Sequence, residues 1–266
     1  MFASPYIVEI LTPRKSSADS EKEVMDSFAG RYRRILDCGC ALSIPDNPMG
    51  QLRCGAAEAI ELCALPVDSE RVFMNLNTFH AKEELDRLLE KASVLGIRYL
   101  LVVRGDGSST LPKLTPESIG GTKNVATSSD LLRYINREYE GLFITGAAFN
   151  QYNRRDFEIG RLKEKIEAGA KFVVTQPLLG KDPNVDAIEE LGIPVVVEAW
   201  MSKNVDLLYK SVRKEKDERA QGYDPAVNLT KLHRAYPENC VYLSMLSFRE
   251  DWKAVLPRLS PKTPFS

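Results

Sequence analysis

The stretch KEELDRLLEKASVLGIRYLLVVRGD, Lys82–Asp106, decides the fold. Leu85, Leu88, Leu89, Ala92 and Leu95 recur at helical spacing and give one apolar face, and Gly96 is a helix stop. Tyr99-Leu100-Leu101-Val102-Val103 is then continuously apolar, the pattern of a strand covered on both faces, and it runs directly into Arg104-Gly105-Asp106-Gly107.

Working outward, the same alternation repeats. Toward the N-terminus lie Tyr6–Leu11 as a strand, a helix from about Ser20 to Leu36, the short strand Ala41–Ile44, a helix from about Cys54 to Leu65 and the strand Arg71–Leu76. Toward the C-terminus the reading gives a helix from about Ser129 to Glu138, the strand Leu142–Gly146, a helix from about Arg155 to Ala168 and the strand Phe172–Gln176. Val185–Leu191, Pro194–Val197 and a last strand, Val241–Leu246, complete the series. About eight strand-then-helix units mean a parallel sheet, and in 266 residues they fit a closed (β/α)8 TIM barrel better than an open doubly wound sheet. No composition shift marks a second domain, so one domain over residues 1–266 is expected. Arg213–Arg219 reads as an exposed helix face.

Lys and Arg number 36 against 37 Asp and Glu, a net charge of -1, so nothing points to nucleic acid or an anionic membrane as partner. No apolar run reaches the roughly 18 residues of a spanning helix, and Met1-Phe2-Ala3-Ser4-Pro5 does not resemble a secretory leader. A cytoplasmic protein is expected. Cys38, Cys40, Cys54, Cys63 and Cys240 are odd in number and lack paired C-x-x-C spacing, which argues against a disulfide framework or a zinc ribbon. The chain has neither a G-x-G-x-x-G turn nor a P-loop. His80 and His233 sit in no nucleophile or metal context, so hydrolase chemistry is not expected.

Barrel chemistry sits at the C-terminal strand ends. These ends carry Glu9, Asp46, Asn77, Asp106, Phe149 and Asn150, Gln176, Glu198 and Ser244. Glu9 lies between Val8 and Ile10, where burying a carboxylate without a purpose costs several kcal/mol. It is a candidate proton donor, or else a structural ion pair with Arg14 or Arg104. Gln176 ends an apolar strand, and its amide can donate to and accept from a planar heterocycle. The set suits a site that binds a polar heterocycle and supplies one proton.

These residues resemble the methylenetetrahydrofolate reductase family. Val8-Glu9-Ile10-Leu11-Thr12-Pro13-Arg14 looks like its opening strand. Glu83–Leu85 through Gly96-Ile97-Arg98 to Arg104-Gly105-Asp106 looks like its Arg-Gly-Asp signature. Leu162–Gln176 is similar to its LKxKxxAGAxxxxTQ block. The resemblance implies a (β/α)8 barrel that reduces 5,10-methylenetetrahydrofolate to 5-methyltetrahydrofolate in one-carbon metabolism, with NADH or NADPH as reductant and FAD as carrier. Carried over by position, Glu9 is the general acid, Asp106 holds the pterin and tunes the flavin, and Gln176 hydrogen-bonds the pterin. The implied cofactor contacts are Asn75, Arg104, Gly105, Asp106, Ser129, Asp130, Ala147, Phe149 and Lys165.

The chain also departs from the family. Asn75 stands where the family has a flavin-contacting His. Phe149-Asn150-Gln151-Tyr152-Asn153 replaces a Tyr-Pro-Glu-x-His segment, and Pro45–Gly50 replaces a Thr-Tyr-Gly turn. The departures fall on flavin contacts, so weakly held FAD is expected. A flavin-free folate reductase, a folate-dependent methyl-transfer component and a non-catalytic subunit of a reductase complex are the alternatives. The outer helices offer surfaces for a homo-oligomer.

Overall fold

The computed structural model describes residues 2–14, 21–108 and 110–259. Eight parallel strands, β1 (Tyr6–Glu9), β2 (Ala41–Ile44), β3 (Val72–Leu76), β4 (Tyr99–Val102), β5 (Ile144–Phe149), β6 (Phe172–Pro177), β7 (Val195–Trp200) and β8 (Cys240–Ser244), pair in chain order and close into a barrel through β1 and β8. Between them run α1 (Glu21–Asp37), α2 (Ala56–Leu62), α3 (Lys82–Val94), α4 (Ser128–Glu138), α5 (Arg155–Glu167), α6 (Pro183–Glu189), α7 (Val205–Ser211) and α8 (Pro225–Ala235), with α9 (Trp252–Val255) after β8. The (β/α)8 barrel expected from the alternating pattern is therefore the observed fold.

Local chemistry sets the helix starts. Thr127 accepts from the Asp130 amide while Asp130 accepts from the Thr127 amide, a reciprocal box that opens α4. Asp182 and Asp224 cap α6 and α8, each followed by a Pro at the first helical position. Arg213–Arg219 is not the helix face expected. Arg213 adopts φ 55, which ends the helical path after α7, and Asp217 caps a one-turn 3-10 helix at Glu218–Ala220. The start of the helix expected from about Ser20 lies outside the described residues.

Strand parity builds the interior. Ile7, Ala41, Phe73, Tyr99, Leu101, Phe172, Val174, Val196, Cys240 and Tyr242 form one buried cluster inside the barrel, distinct from the larger layer between strands and helices. Phe73 and Tyr99 stack at 4.5 Å, Phe172 meets Phe73 edge-on at 5.9 Å, and Phe2 caps the group at 5.5 Å from Phe172. Gly146 makes this possible, because a Cβ there would lie 2.2 Å from the Phe172 ring. The N-terminal end of the barrel is thus plugged by aromatic rings, and the opposite end is left for polar side chains. Among the described residues, no helix is long and apolar enough to cross a membrane.

Candidate active site

One step above the aromatic plug, the inward positions turn polar and line a cavity of about 240 Å3. Glu9 enters it from β1, Asn75 from β3, Gln176 from β6, Glu198 from β7 and Tyr242 from β8, with Asp46 and Asp106 on the loops after β2 and β4. The structure therefore brings together Glu9, Asn75, Gly105, Asp106 and Gln176 of the expected residues.

Glu9 opens on the cavity but is otherwise hemmed in by protein. Desolvation raises its pKa, against the lowering effects of a hydrogen bond from Tyr242 and the charge of Arg53. Tyr242 Oη donates to Glu9 Oε2 at 3.0 Å. Among the described residues neither Arg14 nor Arg104 pairs with Glu9, and Arg53 is the cation whose field reaches it. Glu198 is pushed up to about 8, first by burial and further by the nearby Glu9 charge, with a Ser244 hydrogen bond opposing. Tyr242 is raised well above its ordinary value, by burial and then by the two carboxylates.

The opposite wall is set by backbone. Gln151 accepts from the Gln176 amide at 3.1 Å and donates to the Gln176 carbonyl at 2.9 Å. The Gln176 side-chain amide is left facing the cavity. Asn75 accepts from Ser43 Oγ at 2.9 Å. Asp106 is exposed at the rim and accepts from the Met49 amide at 3.1 Å, tying the loop after β4 to the loop after β2. Gly105 adopts φ +82, and a Cβ there would lie 2.6 Å from Asn77 Cβ, so this turn requires glycine. Asp46 accepts from the Asn77 amide at 3.0 Å and lies 2.6 Å from His80 Nε2.

The other expected cofactor contacts are placed elsewhere. Ala147 and Phe149 have outward parity on β5 and are fully buried between strands and helices. Lys165 is buried in α5, donates to the Ala148 carbonyl at 2.6 Å and lies 3.9 Å from Glu158. Burial pulls its pKa down to about 8 despite Glu158. Asp130 is occupied by Thr127 and by Arg133 Nη1 at 3.1 Å, and Ser129 is buried beside it. Arg104 is exposed, and its carbonyl accepts from Thr78 Oγ1 at 3.0 Å. The residues present do not fit an FAD: of its implied contacts, the Lys165 cation and the Asp130 carboxylate are spent inside the protein, and the Phe149 ring faces away from the cavity. A second cavity of about 390 Å3 adjoins it across Pro45, Asp46 and Asn75. Among the described residues no group of three or more His, Cys, Asp or Glu side chains converges as a metal site.

Reading strand ends misses Tyr242 and lists Glu198 without giving it a role. Tyr242 lies inside a strand rather than at its end. Glu198 closes the expected strand Pro194–Val197 but lies inside the observed β7, between apolar neighbours and without a signature motif. Inward parity is the signal that would have found both, since Glu198 follows inward Val196 and Tyr242 follows inward Cys240 by two positions.

Residues 70–195 match the family model described as methylenetetrahydrofolate reductase. Two curated relatives from Schizosaccharomyces pombe are similar: methylenetetrahydrofolate reductase 1, 31% identical over 45% of this chain and 22% of its own length, and methylenetetrahydrofolate reductase 2, 33% identical over 36% of this chain and 16% of its own. The match thus spans about a fifth or less of those relatives. Among solved structures, a dihydropteroate synthase from Coxiella burnetii in complex with pteroic acid is 10% identical, covering 91% of this chain and 88% of its own, with a TM-score of 0.49.

Proposed function

We propose that this chain is a member of the methylenetetrahydrofolate reductase family, which it resembles over residues 70–195, and that it reduces 5,10-methylenetetrahydrofolate to 5-methyltetrahydrofolate with NADH or NADPH as the hydride source. The observation that supports this most is the pairing, in one cavity, of a protonatable carboxyl at Glu9 with a free amide at Gln176. The methylene carbon bridges two nitrogens. Breaking its bond to N10 sends the electron pair to that nitrogen, which takes a proton from Glu9. The carbon, now doubly bonded to N5, accepts hydride and becomes the methyl group. A carboxyl whose neutral form is favoured by desolvation suits that step near neutral pH. Gln176 would read the donor and acceptor edge of the pterin, and Asp106 would hold it from the rim.

The spent contacts at Lys165, Asp130 and Phe149 favour the version of this reading in which nicotinamide delivers hydride directly over one that runs through a bound flavin. The test is anaerobic incubation with methylenetetrahydrofolate and NADH or NADPH, with and without added FAD, and mass-spectrometric detection of the methyl product. Product in either arm supports the reading, and FAD dependence separates its two versions. No product in any arm overturns it and leaves a non-catalytic subunit as the reading.

A further inference from the structure

We propose that Glu198 is the proton reservoir of this site: Glu9 and Glu198, entering one cavity from the strands on either side of β8 with Tyr242 between them, hold a single proton that rests on Glu198 and is passed to Glu9 as Glu9 protonates the substrate. The proposal rests on the reductase reading for the identity of the proton acceptor.

The geometry comes first. Tyr242 is the register partner of Glu198 on β7 and of Ile7 on β1, so Glu9, two residues beyond Ile7 on the same face, is carried to the other side of its ring. Its hydroxyl donates to Glu9 Oε2 at 3.0 Å, which favours the charged form of Glu9. Two carboxylates enclosed in one small cavity cannot both ionise cheaply, so the charge of one adds to the burial that already holds a proton on the other. Each carboxyl has one hydrogen bond that favours its charged form, Tyr242 on Glu9 and Ser244 on Glu198. The Arg53 charge, however, acts on Glu9 and biases the proton toward Glu198, whose pKa is raised by burial and by the Glu9 charge.

The surroundings do not neutralise the pair. Facing Glu198 are Glu9 from β1, Tyr242 and Ser244 from β8, and Thr175 from β6, whose Oγ1 accepts from the Glu198 amide at 2.9 Å. Tyr152, in the loop after β5, feels the Glu198 charge, and its own hydroxyl is held by the Pro177 carbonyl at 2.6 Å. Arg53 acts on Glu9 from the other side. Among the described residues neither carboxylate forms a salt bridge.

The step balances as one proton. The Glu198 O–H bond breaks as its proton passes through the Tyr242 hydroxyl, which already donates to Glu9. The Glu9 O–H bond so formed breaks as the N–H bond forms on the departing nitrogen. Glu198 ends as a carboxylate and takes its next proton from solvent at the cavity mouth.

The test has two readouts. In the ligand-free protein near neutral pH, infrared difference spectroscopy should find a protonated-carboxyl C=O band that Glu198→Gln removes and Glu9→Gln does not. In turnover, the basic limb of the kcat profile should sit near the Glu198 titration, about 8, and move acidward by about one unit or more in Glu198→Gln. Glu198→Asp should restore it, which a merely structural role would not produce. A band unaffected by Glu198→Gln, or a loss of turnover equal at every pH, overturns the proposal. The infrared readout needs no substrate, so the band assigned to Glu198 in a protein without reductase activity would sink the reductase reading while leaving the shared proton standing.

Discussion

His80 Nε2 lies 2.6 Å from Asp46 Oδ2, and both side chains are largely withdrawn from solvent. Burial opposes the imidazolium, but the hydrogen bond and charge of Asp46, with Glu84 farther off, outweigh it and the His80 pKa is raised. A raised folded-state value means that the stabilisation is fully present below the unfolded pKa of about 6.5 and is lost as pH rises through the folded value. His80→Gln should therefore cost about 1.5–3 kcal/mol in mildly acidic buffer, the range for hydrogen bonds to charged groups, and less at alkaline pH. Urea unfolding of both proteins across that range is the check. A difference that stays constant with pH would show that Asp46 does not hold an imidazolium.

Glu9→Gln should lower reductase turnover by about a hundredfold or more, the scale for losing a general acid. Folate binding should change far less, because the amide keeps the shape and the hydrogen bond to Tyr242. Steady-state kcat and an equilibrium folate titration separate the two effects. Turnover within a fewfold of wild type would remove Glu9 from the role of acid.

How much of this site could be read from residues alone follows from what each argument measures. Strand ends and hydrophobic period bring out Glu9, Asp106 and Gln176, because a polar group closing an apolar run is visible in one dimension. The fold was legible for the same reason: Tyr99–Val103 and Phe172–Gln176 leave no doubt about which segments are covered on both faces. The inward and outward sense of each residue needs the barrel register. Phe149 and Ala147 sit at a strand end and look available, yet parity turns them toward the helices. Lys165 matches a cofactor contact of the family's pattern, but the Ala148 carbonyl and Glu158 already claim its ammonium. Hydrogen bonds between segments far apart in sequence, such as Gln151 to Gln176, carry no local signal at all.

Gln176→Ala and Gln151→Ala should fail in different ways. Loss of the Gln176 amide should raise the apparent folate KM about tenfold, the worth of one hydrogen bond of roughly 1.4 kcal/mol, with little change in stability. Gln151 is 3% exposed and satisfies the Gln176 amide and carbonyl from within the protein. Its removal leaves those buried groups unpaired at about 1–3 kcal/mol, so the midpoint of unfolding should fall as well. Equal unfolding midpoints for the two variants would contradict this division.

Gly105→Ala tests the turn that presents Asp106. The new Cβ meets Asn77 at 2.6 Å, and the backbone at φ +82 disfavours any side chain. Strain of this kind costs of order 1–3 kcal/mol, and the turn can relieve it by moving Asp106 away from the Met49 amide. Folate affinity should drop more than thermal stability. Calorimetric binding alongside a melting curve decides it, and an unchanged folate affinity would remove Asp106 from the pterin site.

The cofactor is where family pattern and this chain diverge most. Asn75 accepts from Ser43, Asp130 is held by Thr127 and Arg133, and Lys165 is held by Ala148 and Glu158. An incoming FAD would have to break these contacts before gaining its own. Each hydrogen bond forgone is worth about 0.5–1.5 kcal/mol, so three together weaken binding by roughly one to three powers of ten. The buried Phe149 ring adds no stacking surface. Purified protein should therefore be colourless or pale, and FAD added back should bind with a micromolar rather than nanomolar dissociation constant. Fluorescence quenching of FAD titrated with the protein measures it directly. Lys165→Met supplies the control: if the ammonium is structural, the variant loses stability while FAD affinity stays where it was, and if the ammonium meets a phosphate, affinity falls with it.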